Sequence, residues 1–426
     1  MSNNYVGVSE RLPLHRWIPL SFQHVFAMFG ATVLVPILTG LSPSAALFSA
    51  GSGTLLYILI TGAQVPAFLG SSFAFIPALI GIGAAYGMPY ALGGAVVAGF
   101  FYCVVAAIIK TVGIGWLDRV LPPVVIGSVI IVIGLNLAPT AMGMAMNGAN
   151  GQYSLVFLSI AAFTLVVAIV ATIFFKGFFN VIPILIGLVA GYLFAFVMGL
   201  FFPAYRVIDF TKVIEAPWFS LPTFQLPKFN VMASLTFVIV SLATICEHLG
   251  DVMVTSRVVG ADFYKKPGLH RTLAGDGLAT AWAAFWGGPP NTTYGENIGV
   301  MAITRVYSVW VIGGAAVIAV LLSFVTKVGA IIQTIPTPVM GGISMLLFGI
   351  IASSGLRTIV ESGVDFKCKR NLTISSVIMV IGIGGGKLTV DVGGGLQFQL
   401  AGVALATVVG IILNLVLPKT VDSSAD

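Results

Sequence analysis

Apolar runs about 20 residues long recur from Trp17 to Leu417, separated by short polar breaks. Each run is long enough for a helix across the hydrocarbon core of a bilayer. The pattern predicts an all-α polytopic membrane protein of about 14 spans, several of them interrupted by Gly and Pro. Two interruptions stand out. Gly287-Gly288-Pro289-Pro290-Asn291 cannot continue a helix, so an extended stretch should precede a helix from about Tyr294 to about Thr304. Gly70-Ser71-Ser72-Phe73, between Pro66 and Pro77, has the same form. Both predict a half-helix fed by a short extended segment, with free N–H groups at its start.

The apolar pattern also repeats. Gln23-His24 opens the first half of the chain and Glu247-His248 the second. Gly70-Ser71-Ser72-Phe73 matches Thr292-Thr293-Tyr294-Gly295, and Pro123-Val124-Val125 matches Pro338-Val339-Met340. Seven spans per half would make the copies inverted, an architecture that places a binding site near the midplane. The polar segment from Pro203 to Phe229 divides the halves.

Composition narrows the class. Hydrophobic residues are 58% of the chain and charged residues 8%, with a mean hydropathy of +1.06. A soluble domain carries roughly a quarter charged residues. The N-terminus is polar and runs straight into a span, which argues against a cleaved signal. Cys103, Cys246 and Cys368 are scattered, so no disulfide framework is expected. Fifteen of the twenty Lys and Arg residues, Arg257, Arg357 and Lys419 among them, fall in predicted loops on one side. Arg206, Lys212, Lys228, Lys327 and Lys387 fall on the other. The positive-inside rule then places both termini in the cytoplasm, and the +6 net charge needs no nucleic acid to explain it.

Against this background, acids inside spans carry the chemistry. An ionisable group at membrane depth costs roughly 3 kcal/mol on insertion scales. Glu247, Asp251, Asp276 and Glu296 all lie in such stretches. Glu247 and Asp251, at i and i+4, share a helix face. Two carboxylates held together away from water are costly when both are charged, so one can hold a proton near neutral pH. Asp276 either lines the site or bonds a neighbouring helix. His248 and His24 read as hydrogen-bonded histidines more than as proton carriers. Ser72 and Thr293 are candidate caps or polar linings. Two half-helix N-termini and nearby acids suit a planar dione with ring N–H donors and carbonyl acceptors. In that arrangement Glu247 and Glu296 accept from the ring, N–H groups near Phe73 and Gly295 donate, and Phe73 and Tyr294 stack on it, wall it, or simply pack. No cofactor, metal-ligand cluster, nucleotide loop or nucleophile motif is legible. The run Gly382 to Lys387 reads as the flexible end of a span.

These residues resemble a known family. Pro19 to Thr32, Leu69 to Phe75 and Pro290 to Arg305 are similar to the uracil permeases of the nucleobase–ascorbate transporter family, over nearly the whole chain. The resemblance implies fourteen spans in two inverted seven-span repeats. The core domain would comprise residues 1–120 and 230–327, and the gate domain residues 121–202 and 328–426. It implies uracil as substrate, proton symport into the cell across the inner membrane, and a homodimer through the gate domain within membrane lipid. It assigns substrate binding to Glu247, Glu296, Phe73, Tyr294 and Gly295. Purine-transporting members carry an amide where this chain has Glu296, although Asp276 is more like the purine branch. Asp251 stands where similar uracil permeases carry a histidine. A purine substrate and sodium coupling are therefore the alternatives.

Overall fold

The computed structural model describes residues 5–148, 151–202, 207–393 and 396–418. Arg206 and Lys419, used above in the charge pattern, and the start of the Pro203–Phe229 segment lie outside them. Among the described residues are fourteen helical stretches of ten or more residues, seven before residue 203 and seven after residue 230. The first seven are α1 (Leu14–Thr39), α2 (Pro43–Ile60), α3 (Ile76–Tyr86), α4 (Met88–Val112), α5 (Pro123–Met146, broken at Leu137), α6 (Leu155–Phe174) and α7 (Pro183–Phe201). The second seven are α8 (Val231–Val259), α9 (Leu269–Phe285), α10 (Gly295–Thr304), α11 (Val309–Ser323), α12 (Thr337–Glu361), α13 (Lys369–Ile383) and α14 (Gly402–Val416).

Eight of these, α1, α2, α4 to α8 and α12, are long and apolar enough to cross a membrane. The protein is a mostly helical, multi-pass membrane protein. The others are shorter. In α3 and α10 the shortness follows from the Pro- and Gly-rich segments ahead of them, whose backbone runs as β1 (Leu69–Ser71) and β2 (Asn291–Thr293).

One helix set gathers around α2, α4, α9 and α11, and another around α5 and α12. Several of the strongest packings have a counterpart seven helices along. α4 packs on α9 as α11 packs on α2; α8 packs on α4 as α1 packs on α11; α5 packs on α13 as α12 packs on α6. In lipid the hydrophobic effect does not drive helices together, so close contact depends on small residues. The α4–α9 crossing meets at Gly99 and Gly277, and the α5–α12 crossing at Gly127 and Gly355. At both, an added Cβ would overlap the facing backbone carbonyl. The windows that identify α1 and α7 as spans are 72% and 28% buried. α1 is therefore central, while α7 presents Leu193, Phe196 and Leu200 outward, as a lipid-facing helix does.

The fold departs from the all-α expectation. β1 and β2 pair antiparallel, with Gly70 opposite Thr292. A second hairpin joins β3 (Lys387–Gly393) to β4 (Leu396–Ala401). The Gly382–Lys387 run is thus the turn from α13 into a strand, and Lys387 already pairs with Ala401. The basic residues also depart from their expected loops. Arg271 lies inside α9, Arg257 in the last turn of α8, and Arg357 inside α12.

Candidate functional site

The β1–β2 pair carries the site. Thr54 Oγ1 accepts from the Leu69 N–H at 2.9 Å, and Thr280 Oγ1 donates to the Asn291 carbonyl at 2.7 Å. Asn291 Nδ2 donates to the Ser49 carbonyl at 3.0 Å. α2 and α9 therefore hold both strands from the sides. At the strand ends the Ser72 N–H donates to the Pro290 carbonyl (2.8 Å) and the Tyr294 N–H to the Phe68 carbonyl (3.0 Å). The chain then turns into α10 after β2, and through a short helical turn at Phe73–Phe75 into α3 after β1. Two helix starts are thereby fixed back to back, with first-turn N–H groups that have no partner within their own helices.

Tyr294 is locked rather than free to stack. Its ring lies across Gly70, where any Cβ would overlap it. Its hydroxyl donates to the Ser71 carbonyl at 3.1 Å and accepts from Thr32 Oγ1 at 3.2 Å. Phe73 packs edge-on against Phe348 of α12, with ring centroids 5.6 Å apart. Gly295 is open: a Cβ there would meet nothing within 4 Å.

A small cavity of about 60 Å³ lies in front of these elements. Phe73, Thr292, Thr293, Tyr294, Gly295 and Glu296 line one side with Glu247 and Asp251 of α8. Ile130 of α5 and Ile350, Ile351 and Ser354 of α12 line the other. It shares Asp251, Gly295, Glu296, Ile350 and Ser354 with a vestibule of about 370 Å³, which extends past Val254 and Val258 to Arg357. That is the end of α8 that carries Arg257.

Three of the four predicted acids thus converge. Thr293 Oγ1 donates to Asp251 Oδ2 at 2.6 Å. Glu247 Oε2 and the Thr292 hydroxyl beside it are buried without a well-formed hydrogen bond, whereas Ser72, also buried with its hydroxyl unpaired, does not line the cavity. A buried polar atom left unpaired costs about 1–3 kcal/mol, so the Glu247 and Thr292 atoms mark a place for a ligand's polar groups. Ser72 holds the N-cap position of the Phe73–Phe75 turn but its side chain makes no capping bond, and Tyr294, not Thr293, holds the cap position of α10.

Asp276 does not line the cavity. Fully buried on α9, it lies with Oδ2 2.9 Å from His248 Nδ1, while His248 Nε2 lies 3.1 Å from Thr272 Oγ1. Asp276 thus contacts a neighbouring helix, one of the two roles expected of it. His24 is likewise tied down. Asn297 Nδ2 lies 3.1 Å from both His24 Nδ1 and the His24 carbonyl, fastening α10 to α1. The opposing wall, Ile130, Ile350, Ile351 and Ser354, was not singled out from the sequence. Its only trace there is the match of Pro123-Val124-Val125 in α5 with Pro338-Val339-Met340 in α12.

The sequence profile of the Permease family matches residues 15–390. The chain belongs to this family. The permease is 53% identical over 424 residues to the uracil permease of Bacillus caldolyticus, covering 98% of this chain and 96% of that one. It is 48% identical over 421 residues to the uracil permease of Escherichia coli (strain K12), covering 98% and 94%. It is 40% identical over 420 residues to a putative pyrimidine permease of the same strain, covering 97% and 92%. Relatives named permeases are transporters, not enzymes. Among solved structures, the permease is similar in fold to SLC26A9 (TM-score 0.69, 10% identity), covering 94% of this chain and 64% of that one, so it spans less than two thirds of SLC26A9. It is also similar to the transmembrane domain of the cyanobacterial bicarbonate transporter BicA (TM-score 0.63, 15% identity), covering 97% and 100%.

Proposed function

We propose that the permease imports uracil by proton symport across the inner membrane. The observation that carries this reading is the convergence of Glu247, Asp251 and Glu296 on one cavity where Glu247 Oε2 lacks a well-formed hydrogen bond. Uracil presents two ring N–H groups and two carbonyls. Glu247 and Glu296 accept from the N–H groups, and the N–H groups at Phe73 and Gly295 donate to the carbonyls. Tyr294 and Phe73 wall the ring, and Gly295 leaves it room. Hydrogen bonds to charged acceptors contribute about 1.5–3 kcal/mol each, which selects a ring with donors at matching positions. The relatives named uracil permeases support the same substrate. The fold alone does not set substrate, and a cavity lined by three carboxylates disfavours an anion.

The helix sets supply the moving parts. α1 to α4 and α8 to α11 form a core that holds the site, and α5 to α7 and α12 to α14 form a gate that faces it. The i to i+7 correspondence in packing supports an inverted repeat of fourteen spans. With the basic end in the cytoplasm, both termini are cytoplasmic and the vestibule at Arg357 opens inward. Asp251 is the coupling group: it lines the vestibule as well as the site, so it can load and release a proton.

The test is uptake of radiolabelled uracil into proteoliposomes under an imposed proton gradient, then under a sodium gradient. Accumulation under the first is the expected result. Accumulation only under sodium would overturn the coupling and keep the substrate. Absence of uptake and of counterflow would overturn the substrate, and xanthine would then be the first replacement.

A further inference from the structure

The vestibule holds one cation among its lining residues, Arg357, and two acids, Asp251 and Glu296. Three ion pairs join described residues, and Arg357 is in none of them. Its natural partner is occupied. Glu361, at i+4 on the same helix, is within ordinary reach of Arg357. Glu361 is instead paired with Arg257, which comes across from the end of α8. On α12, Ile350, Ser354 and Arg357 follow one another along the face that lines the vestibule, and on α8 Asp251, Val254 and Val258 do the same. The two faces belong to the two helix sets whose relative movement the transport reading requires.

We propose that Arg357 is the counter-charge that draws the coupling proton off the site when the vestibule is open, and that Glu361 decides when it acts. This rests on the proton-coupled reading above. In the structure Arg257 holds Glu361, so Arg357 is in no ion pair among the described residues, and it lines the same cavity as Asp251 and Glu296. A carboxylic acid there gives its proton to vestibule water, and the carboxylate left behind is stabilised by the guanidinium across a cavity with mostly apolar walls, where charges interact over a longer range than in water. When α8 moves against α12 the Arg257–Glu361 contact parts, and Glu361 turns to Arg357. The cation is then neutralised while the site faces the other side and must take up a proton. The Arg257 and Glu361 side chains are 45% and 38% exposed, so their pair is weak and exchanges readily, as a switch requires. Glu247, deeper on α8, lines the adjoining small cavity, while His248 and Asp276 lie 2.9 Å apart and line neither cavity.

Two transport modes separate this role from substrate binding. Counterflow exchanges labelled for unlabelled uracil and needs no proton release. Net uptake needs the proton released inside on every cycle. In Arg357→Gln, counterflow is expected to stay within about twofold of the unaltered protein, while the internal pH for half-maximal net uptake rises by about one unit, the effect of removing one nearby opposite charge. Arg357→Lys restores it. Glu361→Gln moves a different quantity: Arg357 is never neutralised, so loading needs a more acidic exterior, and the external pH for half-maximal uptake falls. An unchanged internal-pH profile in Arg357→Gln overturns the proposal. So does loss of counterflow in that variant with recovery in Arg357→Lys, since the arginine would then act on the substrate. Absence of counterflow in the unaltered protein would instead overturn the uracil reading beneath it.

Discussion

The two half-helix entries are built alike and equipped differently. Leu69–Ser71 and Asn291–Thr293 are three-residue strands paired to each other, and each feeds a helix start into the same cavity. The first segment brings Phe73 to the cavity, and the second brings Thr292, Thr293, Tyr294, Gly295 and Glu296. The helices that open the halves differ in the same way, with Gln23-His24 in α1 and Glu247-His248 in α8. The first half therefore contributes backbone and an apolar wall, and the second contributes all three acids of the site. Both halves of the chain line the cavity, but its three acids come from the second half alone.

The largest test of that division is removal of charge from the second copy. Glu247→Gln and Glu296→Gln keep the shape and turn an acceptor into a partial donor facing a ring N–H. Each should abolish accumulation and weaken binding by roughly a hundredfold, the upper end of a charged hydrogen bond. Uptake near the unaltered level in either variant would remove that acid from the site. Asp251→Asn should separate two functions. Counterflow is expected to persist, while accumulation and its response to external acid are lost, because the amide cannot carry a proton through the cycle. An unaltered pH profile would assign coupling to another group.

The glycines of the two copies give the next contrast. An alanine at Gly70 would place its Cβ in the Tyr294 ring, so the strand pair or the ring must shift. Overpacking of this kind costs about 1–3 kcal/mol, and Gly70→Ala should lower both thermal stability in detergent and uptake. An alanine at Gly295 meets no protein atom within 4 Å. Gly295→Ala should unfold at the same temperature or slightly above, since alanine is the better helix former, yet bind uracil about tenfold more weakly because the methyl group occupies the ring's space. Equal effects at the two positions would erase the distinction.

Much of this site was legible because membrane sequence is a quiet background. Glu247, Asp251 and Glu296 stand out in apolar stretches, and Gly287 to Pro290 forces the chain out of a helix just ahead of Glu296. The opposing wall was not, since Ile130, Ile350 and Ile351 facing a cavity look the same in sequence as isoleucines facing lipid. Arg357 was visible as a charge but assigned to a loop, because the ends of spans are poorly fixed by hydropathy. The two readings of Asp276 depended on the approach of α9 to α8, which no local pattern encodes. The β1–β2 pairing joins segments more than two hundred residues apart and has no local signal either. The β3–β4 hairpin did have one. Lys387-Leu388-Thr389-Val390-Asp391-Val392 alternates with period two, three glycines follow, and Leu396-Gln397-Phe398-Gln399-Leu400 alternates again. Next to an apolar run, the glycines from Gly382 to Gly386 resemble the flexible end of a span instead.

The smallest predicted effects lie in the two hydroxyls next to the helix starts. Thr293 Oγ1 donates to Asp251 at 2.6 Å, so Thr293→Ala leaves that carboxylate with one donor fewer and favours its protonated form. Net uptake should then need a higher internal pH to release the proton, a weaker version of the Arg357→Gln effect, with a loss of stability of about 1 kcal/mol. Ser72 Oγ is buried and has no partner in the protein. If its only role were to fill space, Ser72→Ala would raise stability slightly by removing an unsatisfied hydroxyl. If it meets a uracil carbonyl, the same variant gains that stability in the empty protein and loses about threefold in affinity, so the stabilisation by added uracil shrinks. Thermal unfolding with and without uracil reads both terms in one experiment. A shrinking uracil shift in Ser72→Ala, with an unchanged pH profile, would show the first copy contributing to recognition through a neutral group. An unchanged shift would leave recognition to its backbone and to Phe73.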